Sequence, residues 1–362
     1  MNVLVLNIRT DADDTALGFT TAWINGLAKR CRRITVITMY AGHIDVAANV
    51  DVYSIGKERG YSRVRKLFAF YWLALTLGRR DSIDVCFAHM TPLLATLFSP
   101  IGKARHIPTL LWYAHKSVPL TLRVAHLLVD RCVASTPEGF RLPSRKTFFV
   151  GQGIDTAVFR PPHATTSHYE TTWMSVGRIA PIKNVHEMIQ SVALVRRLGV
   201  DVRLVLVGDA ITDEDHAYRL SLQYLCRDLR LESAVEFQGA IPFRDVPICY
   251  RQAGLFLNLS DSGSLDKAIL ESMASGCIPV SRNEAFQQLA VEHGLGELIP
   301  RPGPEGVAEC VSALLGLDIR LRRRLRRRLR QIVVSEHSLD TLADRMVDHL
   351  RAIQSSHRDH LR

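Results

Sequence analysis

Three short segments in the second half of the chain set cations, glycines and carboxylates where phosphate chemistry needs them. Gly177-Arg178 follows an apolar run at 173–176, and Lys183-Asn184 stands just ahead of a helical pattern at 185–198. Two cations bracketing a strand-to-helix loop, beside a helix N-terminus, form a clamp for phosphate oxygens. Taken alone, the same pair reads equally well as solvated surface charge. In Val207-Gly208-Asp209-Ala210 a glycine again comes directly behind an apolar run, where backbone must approach something closely. The stretch 260–267 is rich in small residues and leads into the helix that carries Glu271. Its Gly263, Ser264 and Leu265 amides can form an anion-binding nest, although an N-capped helix start explains the same residues.

The elements that must position these segments follow from the hydrophobic pattern. In the first half, apolar runs at 3–8, 34–39, 85–88, 109–114 and 131–135 predict strands, and 18–29, 61–77, 92–98 and 120–128 predict helices. A second series follows, with strands at 173–176, 203–207, 235–238, 255–259 and 278–280 and helices at 185–198, 213–228, 246–252 and from 267. Strands alternating with helices of this length predict α/β units with parallel sheets. Gly151 to Asp155 weakens the pattern, and Arg160-Pro-Pro breaks it. We therefore expect a first Rossmann-like domain over 1–160 and a second over 161–338. Open parallel sheets bind ligands beyond the carboxyl ends of their strands, so the loops above are expected to line a cleft between the two domains.

The bulk properties agree. The chain has 362 residues, 47% hydrophobic and 23% charged, the balance of a globular protein rather than a disordered or disulfide-scaffold chain. Its net charge of +10 favours an anionic partner: nucleic acid, an acidic membrane surface or a phosphorylated substrate. The seven cysteines are scattered, odd in number and without C-x-x-C spacing, which predicts reduced core residues of a cytosolic protein. The N-terminus carries no signal-peptide pattern, and no apolar run is long enough to span a bilayer.

The runs VGRIAPIKN, LVLVGDA, VEFQGAIPFRDVPICYRQAGLFLNLS and SGSLDKAILESMASGCIPV resemble the C-terminal domain of family-4 glycosyltransferases. LGFTTAWINGLAKR, LLWYAHKS and VASTPEGF resemble that family's acceptor domain. The resemblance implies the GT-B fold, two Rossmann-like domains facing each other across a cleft, and sugar transfer from a nucleotide donor with retention of configuration. It implies that Arg178 and Lys183 hold the donor diphosphate, that Gly208 and Gln238-Gly239 through Ile241 frame the base, and that Glu271 accepts the ribose hydroxyls. Gly263, Ser264, Leu265, Asp266 and Lys267 would complete the donor pocket. Gly18 would close over the phosphates and His115 would face the reacting sugar, although a histidine at a strand end is also a common structural residue. The helix at 339–353 would cross back to brace the first domain.

One position departs from the family pattern. A carboxylate is usual eight residues before Glu271, and Gly263 stands there. Asp261 and Asp266 are the candidate substitutes, the alternative being recognition of the sugar by backbone amides alone. Retaining enzymes of this fold do not require a carboxylate nucleophile, unlike a double-displacement glycosidase. Positioning and stabilisation of the leaving group are the main demands. The expected partners are a nucleotide-sugar donor, in which UDP and GDP stay open, and a glycan, lipid-linked or small-molecule acceptor. No cofactor and no catalytic metal are expected.

Two basic segments complete the picture. In 320–330, Leu321, Leu325 and Leu329 recur every four residues, marking an apolar stripe on an arginine-coated, solvated helix rather than a nucleic-acid arm. Lys57, Arg59, Arg63, Arg65, Lys66, Arg79 and Arg80 flank the apolar stretch 67–77, which suits either a buried helix with charged ends or an anionic membrane surface. A cytoplasmic location, at the inner membrane face in the second case, is expected. The alternatives to transfer are a nucleotide-sugar epimerase of the same architecture and a non-catalytic nucleotide-sugar binder. A dinucleotide oxidoreductase is disfavoured, because no G-x-G-x-x-G follows a predicted strand.

Overall fold

Apolar runs with no polar alternation form strands buried on both faces. The computed structural model describes residues 1–80, 83–162, 170–260 and 263–360, and the chain divides into two units, each built on one parallel sheet. The first unit contains Met1–Gly153, Pro242–Arg244 and Leu339–Arg362. Its strands are β1 (Asn2–Thr10), β2 (Arg33–Ala41), β3 (Val50–Ser54), β4 (Val85–His89), β5 (Thr109–Trp112), β6 (Arg131–Ala134) and β7 (Thr147–Phe149), in the order β3-β2-β1-β4-β5-β6-β7.

Strand periodicity sorts this sheet's side chains onto two faces. Leu4 and Leu6 enter one core with Phe70 and Leu73 of α2 (Arg63–Arg80), Phe98 of α3 (Pro92–Ala104) and Leu122 of α4 (Leu120–Leu128). Val3 and Val5 enter the other with Trp23 and Leu27 of α1 (Phe19–Ala28). That second core also takes Leu342, Met346 and Leu350 of α12 (Leu339–His360). Arg30 fastens α1 to α12 through Asp344 at 2.6 Å and Asp340 at 3.2 Å.

The second unit contains Ile154–Ile241 and Asp245–Ser338. Its strands β8 (Thr172–Val176), β9 (Arg203–Val207), β10 (Val235–Gly239), β11 (Leu255–Asn258) and β12 (Ile278–Ser281) are ordered β10-β9-β8-β11-β12. The helices are α5 (Val185–Arg197), α6 (Asp213–Asp228), α7 (Val246–Tyr250), α8 (Lys267–Ala274), α9 (Glu284–Glu292), α10 (Pro304–Gly316) and α11 (Ile319–Glu336). Both sheets share one strand order, which reverses at β1/β4 in the first and at β8/β11 in the second. Connections leave such a switch point to opposite sides and open a crevice at the carboxyl ends of its strands.

Several sequence expectations shift. The division between units falls at Gly153, ahead of the proline pair, because Ile154 bridges Ser338 and Arg330 donates to the carbonyls of Thr156 and Phe159. The strand expected over 109–114 ends at Trp112. Strands β3 and β7 are edge strands with largely unburied side chains, so they lack the apolar run that marks the others. On α11 the stripe holds only at its end: Leu329, Ile332 and Val333 are buried, whereas Leu321 is 53% exposed. Its arginines are not simply solvated either, since Arg322 and Arg326 share Glu170.

Helix α2 is apolar on two sides. Phe70, Leu73, Ala74 and Leu77 are buried, while Val64, Phe68 and Trp72 stand 63%, 73% and 66% exposed. The side chains of Arg79 and Arg80 lie outside the described residues. Among the described residues, no helix is long and apolar enough to cross a membrane.

Candidate functional site

The two loops that leave the β8/β11 switch point are the ones that carry Arg178 and Lys183 and, among the described residues, Ser260 and 263–267. The first is tied through its backbone to the loop after β9. The amide of Gly177 donates to Val207 O at 2.9 Å, and that of Ile179 to Asp209 O at 3.0 Å. Gly208 donates to Gly239 O at 2.8 Å and takes φ +129°. A Cβ on Gly208 would sit 2.0 Å from Gly177 O, so only glycine lets the β8 and β9 loops meet.

Side chains then join the loops. Lys183 Nζ donates to Asp266 Oδ2 at 2.8 Å. The same carboxylate accepts from Asn258 Nδ2 at 3.0 Å and from the Ala268 amide at 3.2 Å, which makes Asp266 the N-cap of α8. Burial would raise the Asp266 carboxyl, but Lys183 and these donors outweigh it and hold it below the ordinary range. Three donors leave this carboxylate little acceptor capacity for a sugar. Asp261, the other candidate substitute for the carboxylate missing at Gly263, lies outside the described residues. Asn184, in the left-handed conformation at φ 50°, adds a second tie by donating to Leu259 O at 3.0 Å.

Arg178 is exposed and reaches Asp215 at 3.6 Å. Asp215 belongs to a capping box with Thr212 at the start of α6. Burial pushes its carboxyl up, but the Thr212 and Ile211 amides and Arg178 hold it below the usual value. Arg219 pairs with Asp209 at 2.6 Å beside the Gly208 loop. A small hollow lined by Gly177, Arg178, Lys183, Met188, Val207 and Asn258 lies between these groups. The edge thus presents Arg178 and Lys183 on counter-ions that fix them without enclosing Arg178.

Glu271 lies within α8 and is 5% exposed. Its Oε2 accepts from the Tyr250 hydroxyl at 3.2 Å. Burial raises its carboxyl to about 7, with Asp266 adding to the rise and Lys267 opposing it. Lys267 itself is pushed well down by burial, against the pull of Glu271 and Asp266. Along the same stretch Gly263 and Leu265 are buried, and Ser264 O accepts from Asn283 Nδ2 at 3.0 Å. Gln238 is exposed and Ile241 half-buried, on either side of Gly239, whose φ of +82° turns the chain at the end of β10.

The structure therefore brings Arg178, Lys183, Gly208, Gln238, Gly239 and 263–271 to one edge of the second unit. Gly18 and His115 belong to the first unit. Gly18 opens α1, and a Cβ there would meet Asp14 O at 2.7 Å. His115 is exposed in the loop after β5, and its Nδ1 accepts the Ser117 amide at 3.1 Å with the Ser117 hydroxyl at 2.7 Å. That amide can only donate, so the neutral ring carries its proton on Nε2. Sequence reasoning missed Asp215, Asn258 and Tyr250. Thr212-x-x-Asp215 is a readable capping-box signal; nothing local marks the other two. Among the described residues, no group of three or more His, Cys, Asp or Glu is placed to hold a metal ion.

Comparison with known proteins adds independent observations. Residues 165–332 match the model of the glycosyl transferases group 1 family. The chain is 25% identical over 184 residues to a phosphatidylinositol N-acetylglucosaminyltransferase subunit of Arabidopsis thaliana, a match over 51% of this chain and 39% of that protein. It is 30% identical over 117 residues to the alpha-monoglucosyldiacylglycerol synthase of Streptococcus pneumoniae, over 32% of this chain and 25% of that one. The chain thus spans less than half the length of either curated relative. Among solved structures, Anabaena Alr3699/HepE in complex with UDP superposes with a TM-score of 0.76 at 18% identity, covering 97% of this chain and 100% of that chain. The same Anabaena protein with UDP-glucose gives 0.73 at 18% identity and the same coverage. Residues 165–332 thus match the glycosyl transferases group 1 family over just under half of the chain, and the chain has the GT-B fold.

Proposed function

We propose that the chain is a retaining, family-4-type glycosyltransferase that moves a sugar from a UDP-sugar to a hydroxyl of a lipid-borne acceptor. The observation that carries this reading is the pair of cations at the β8/β11 switch point, Lys183 set by Asp266 and Arg178 set by Asp215. In this account the anomeric C–O bond to the diphosphate breaks as the acceptor oxygen bonds the same face. The acceptor proton passes to the departing diphosphate. Arg178 and Lys183 stabilise the negative charge that develops there, and no metal is invoked. Asp266 acts through Lys183, as a positioning residue. Glu271 takes the ribose hydroxyls, the Gly208 and Gln238–Ile241 segments frame the base, and the family resemblance assigns His115 to the reacting sugar.

The lipid acceptor is supported by the names of both curated relatives and by α2. Val64, Phe68, Trp72 and Leu75 are exposed along one helical face, beside Lys57, Arg59, Arg63 and Arg65. Such a face inserts its apolar row into the headgroup boundary while its cations meet anionic lipid.

Incubation with UDP-glucose and UDP-N-acetylglucosamine, with diacylglycerol or phosphatidylinositol vesicles as acceptor, tests the reading. Proton NMR of the product should show the α-anomer of the α-linked donor. A β-linked product removes retention; an altered sugar nucleotide points to epimerisation, and tight binding without turnover to a binding protein.

A further inference from the structure

A second concavity of the second unit lies at the opposite edge of its sheet. It is a cavity of about 530 Å³ whose wall includes Ala253, just before β11, and Ser275-Gly276, just before β12. The donor loops described above follow the carboxyl ends of β8 to β11, and α8 runs from that edge to this one. Its Asp266 and Glu271 serve the first site, and its last turn ends at the second.

The wall opposite Ser275 comes from α11. Arg320, Arg323, Arg327 and Arg330 follow at intervals of three, four and three, which puts them on one helical face turned to the cavity. Arg251 and Arg326 line it too, and among the described residues no carboxylate does. The guanidinium of Arg330 is spent on the carbonyls of Thr156, Phe159 and Ala274, and that of Arg251 on Val158 and Arg160. Glu170 pairs with Arg322 and Arg326. Arg320, Arg323 and Arg327 are exposed and make no close ion pair among the described residues, although the charge of Arg323 is felt by Glu170. Burial and the nearby Arg160 push Arg330 down, a sign of crowded positive charge. Ser275, 2% exposed, keeps a buried hydroxyl with no hydrogen-bond partner among the described residues.

Guanidinium forks match phosphate oxygens in pairs, and the volume falls in the range of small-ligand sites. Pro161, Pro162 and Ala253 supply apolar surface between the charges. We propose that this cavity is a second ligand site, separate from the donor site, which binds a compact organic anion through a phosphate or diphosphate group. Arg320, Arg323 and Arg327 hold the phosphate, and the Ser275 hydroxyl completes its coordination. The group can belong to a soluble metabolite or to a phospholipid head.

Calorimetric titration with inorganic pyrophosphate, at constant ionic strength in chloride and with UDP-glucose saturating the donor site, tests the second site on the whole chain. Wild type, the Arg320→Ala/Arg323→Ala/Arg327→Ala variant and Arg178→Ala are compared, with circular dichroism to check folding. The triple variant should lose pyrophosphate affinity at least tenfold and keep UDP-glucose affinity within twofold, while Arg178→Ala keeps the pyrophosphate site. Replacement of the three arginines by lysine should restore only part of the affinity, because charge returns without the paired donors. Flotation with phosphatidylcholine vesicles containing phosphatidic acid is the second arm. Vesicle binding that drops tenfold in the triple variant identifies a lipid head as the source; pyrophosphate binding with no such drop on vesicles identifies a soluble one. The proposal is overturned if the triple variant matches wild type in both arms, or if wild type binds neither probe.

Discussion

Protonation of Glu271 should set the pH dependence of donor binding. The carboxyl is buried, receives the Tyr250 hydroxyl and stands at about 7. A ribose whose two hydroxyls donate needs the ionised form, so below that value binding must first remove a proton. Apparent affinity then scales as 1/(1 + 10^(7−pH)), which makes binding at pH 6 about tenfold weaker than at pH 8, or about 1.4 kcal/mol. UDP-glucose is the suitable titrant, because its diphosphate diester has no proton to lose in that interval. Glu271→Gln should bind more weakly at pH 8, by roughly 1.5–3 kcal/mol for lost bonds to a charged acceptor, and show no pH slope. Stability carries the matching sign. Because the folded-state value lies above the ordinary one of 4.5, the contribution of Glu271 is full below 4.5 and is lost as pH rises through about 7. Glu271→Gln should therefore gain on wild type between pH 5 and pH 8, by on the order of 3 kcal/mol. An unchanged tenfold slope in Glu271→Gln, or a flat profile in wild type, would refute the assignment.

Three further outcomes follow from the geometry. Arg282 pairs with Glu187 at 2.7 and 3.0 Å with both side chains largely buried, and Glu187 also accepts the Gly303 amide. Arg282→Ala should cost about 3–5 kcal/mol in denaturant melts by leaving that carboxylate unpaired, and a change under 1 kcal/mol would contradict it. Gly208→Ala should lower thermal stability by at least 1–3 kcal/mol, since its φ and the contact with Gly177 O both exclude a Cβ, and a wild-type melting curve would count against that backbone contact. Phe68→Ser with Trp72→Ser should reduce co-sedimentation with anionic vesicles without changing UDP affinity; equal sedimentation of variant and wild type would remove the membrane role of α2.

Much of the framework is readable because its strands are buried on both faces. Runs such as VLVLNI and RLVLV are short, predominantly apolar and rich in β-branched residues, and the glycine directly behind RLVLV marks the carboxyl edge. Lys183, Gly208 and Asp266 stand out for that reason. The partners that hold the site are less visible. Tyr250 meets Glu271 across 21 residues of chain, and Asn258 meets Asp266 only because β11 and α8 fold back on one another. Such contacts arise from packing and leave no local signature. The helices α9 and α10 escaped notice although each has a start signal, Asn283 capping Phe286 and Gly303-Pro304. Helix α11 misled in the opposite direction. Its leucine repeat is regular, but burial begins only at Leu329, and its arginines are distributed among Glu170, backbone carbonyls and an open cavity.

The central claim is that Arg178 and Lys183 hold the donor diphosphate at the switch point of the second sheet. Titration of UDP into wild type and into the Arg178→Ala/Lys183→Ala variant tests it most directly. Loss of two charge-assisted contacts at roughly 1.5 kcal/mol or more each should weaken UDP binding by about 100-fold or more, measured below the melting temperature, which falls because Asp266 loses the Lys183 ammonium. A folded double variant that binds UDP as tightly as wild type would place the diphosphate elsewhere and contradict the account.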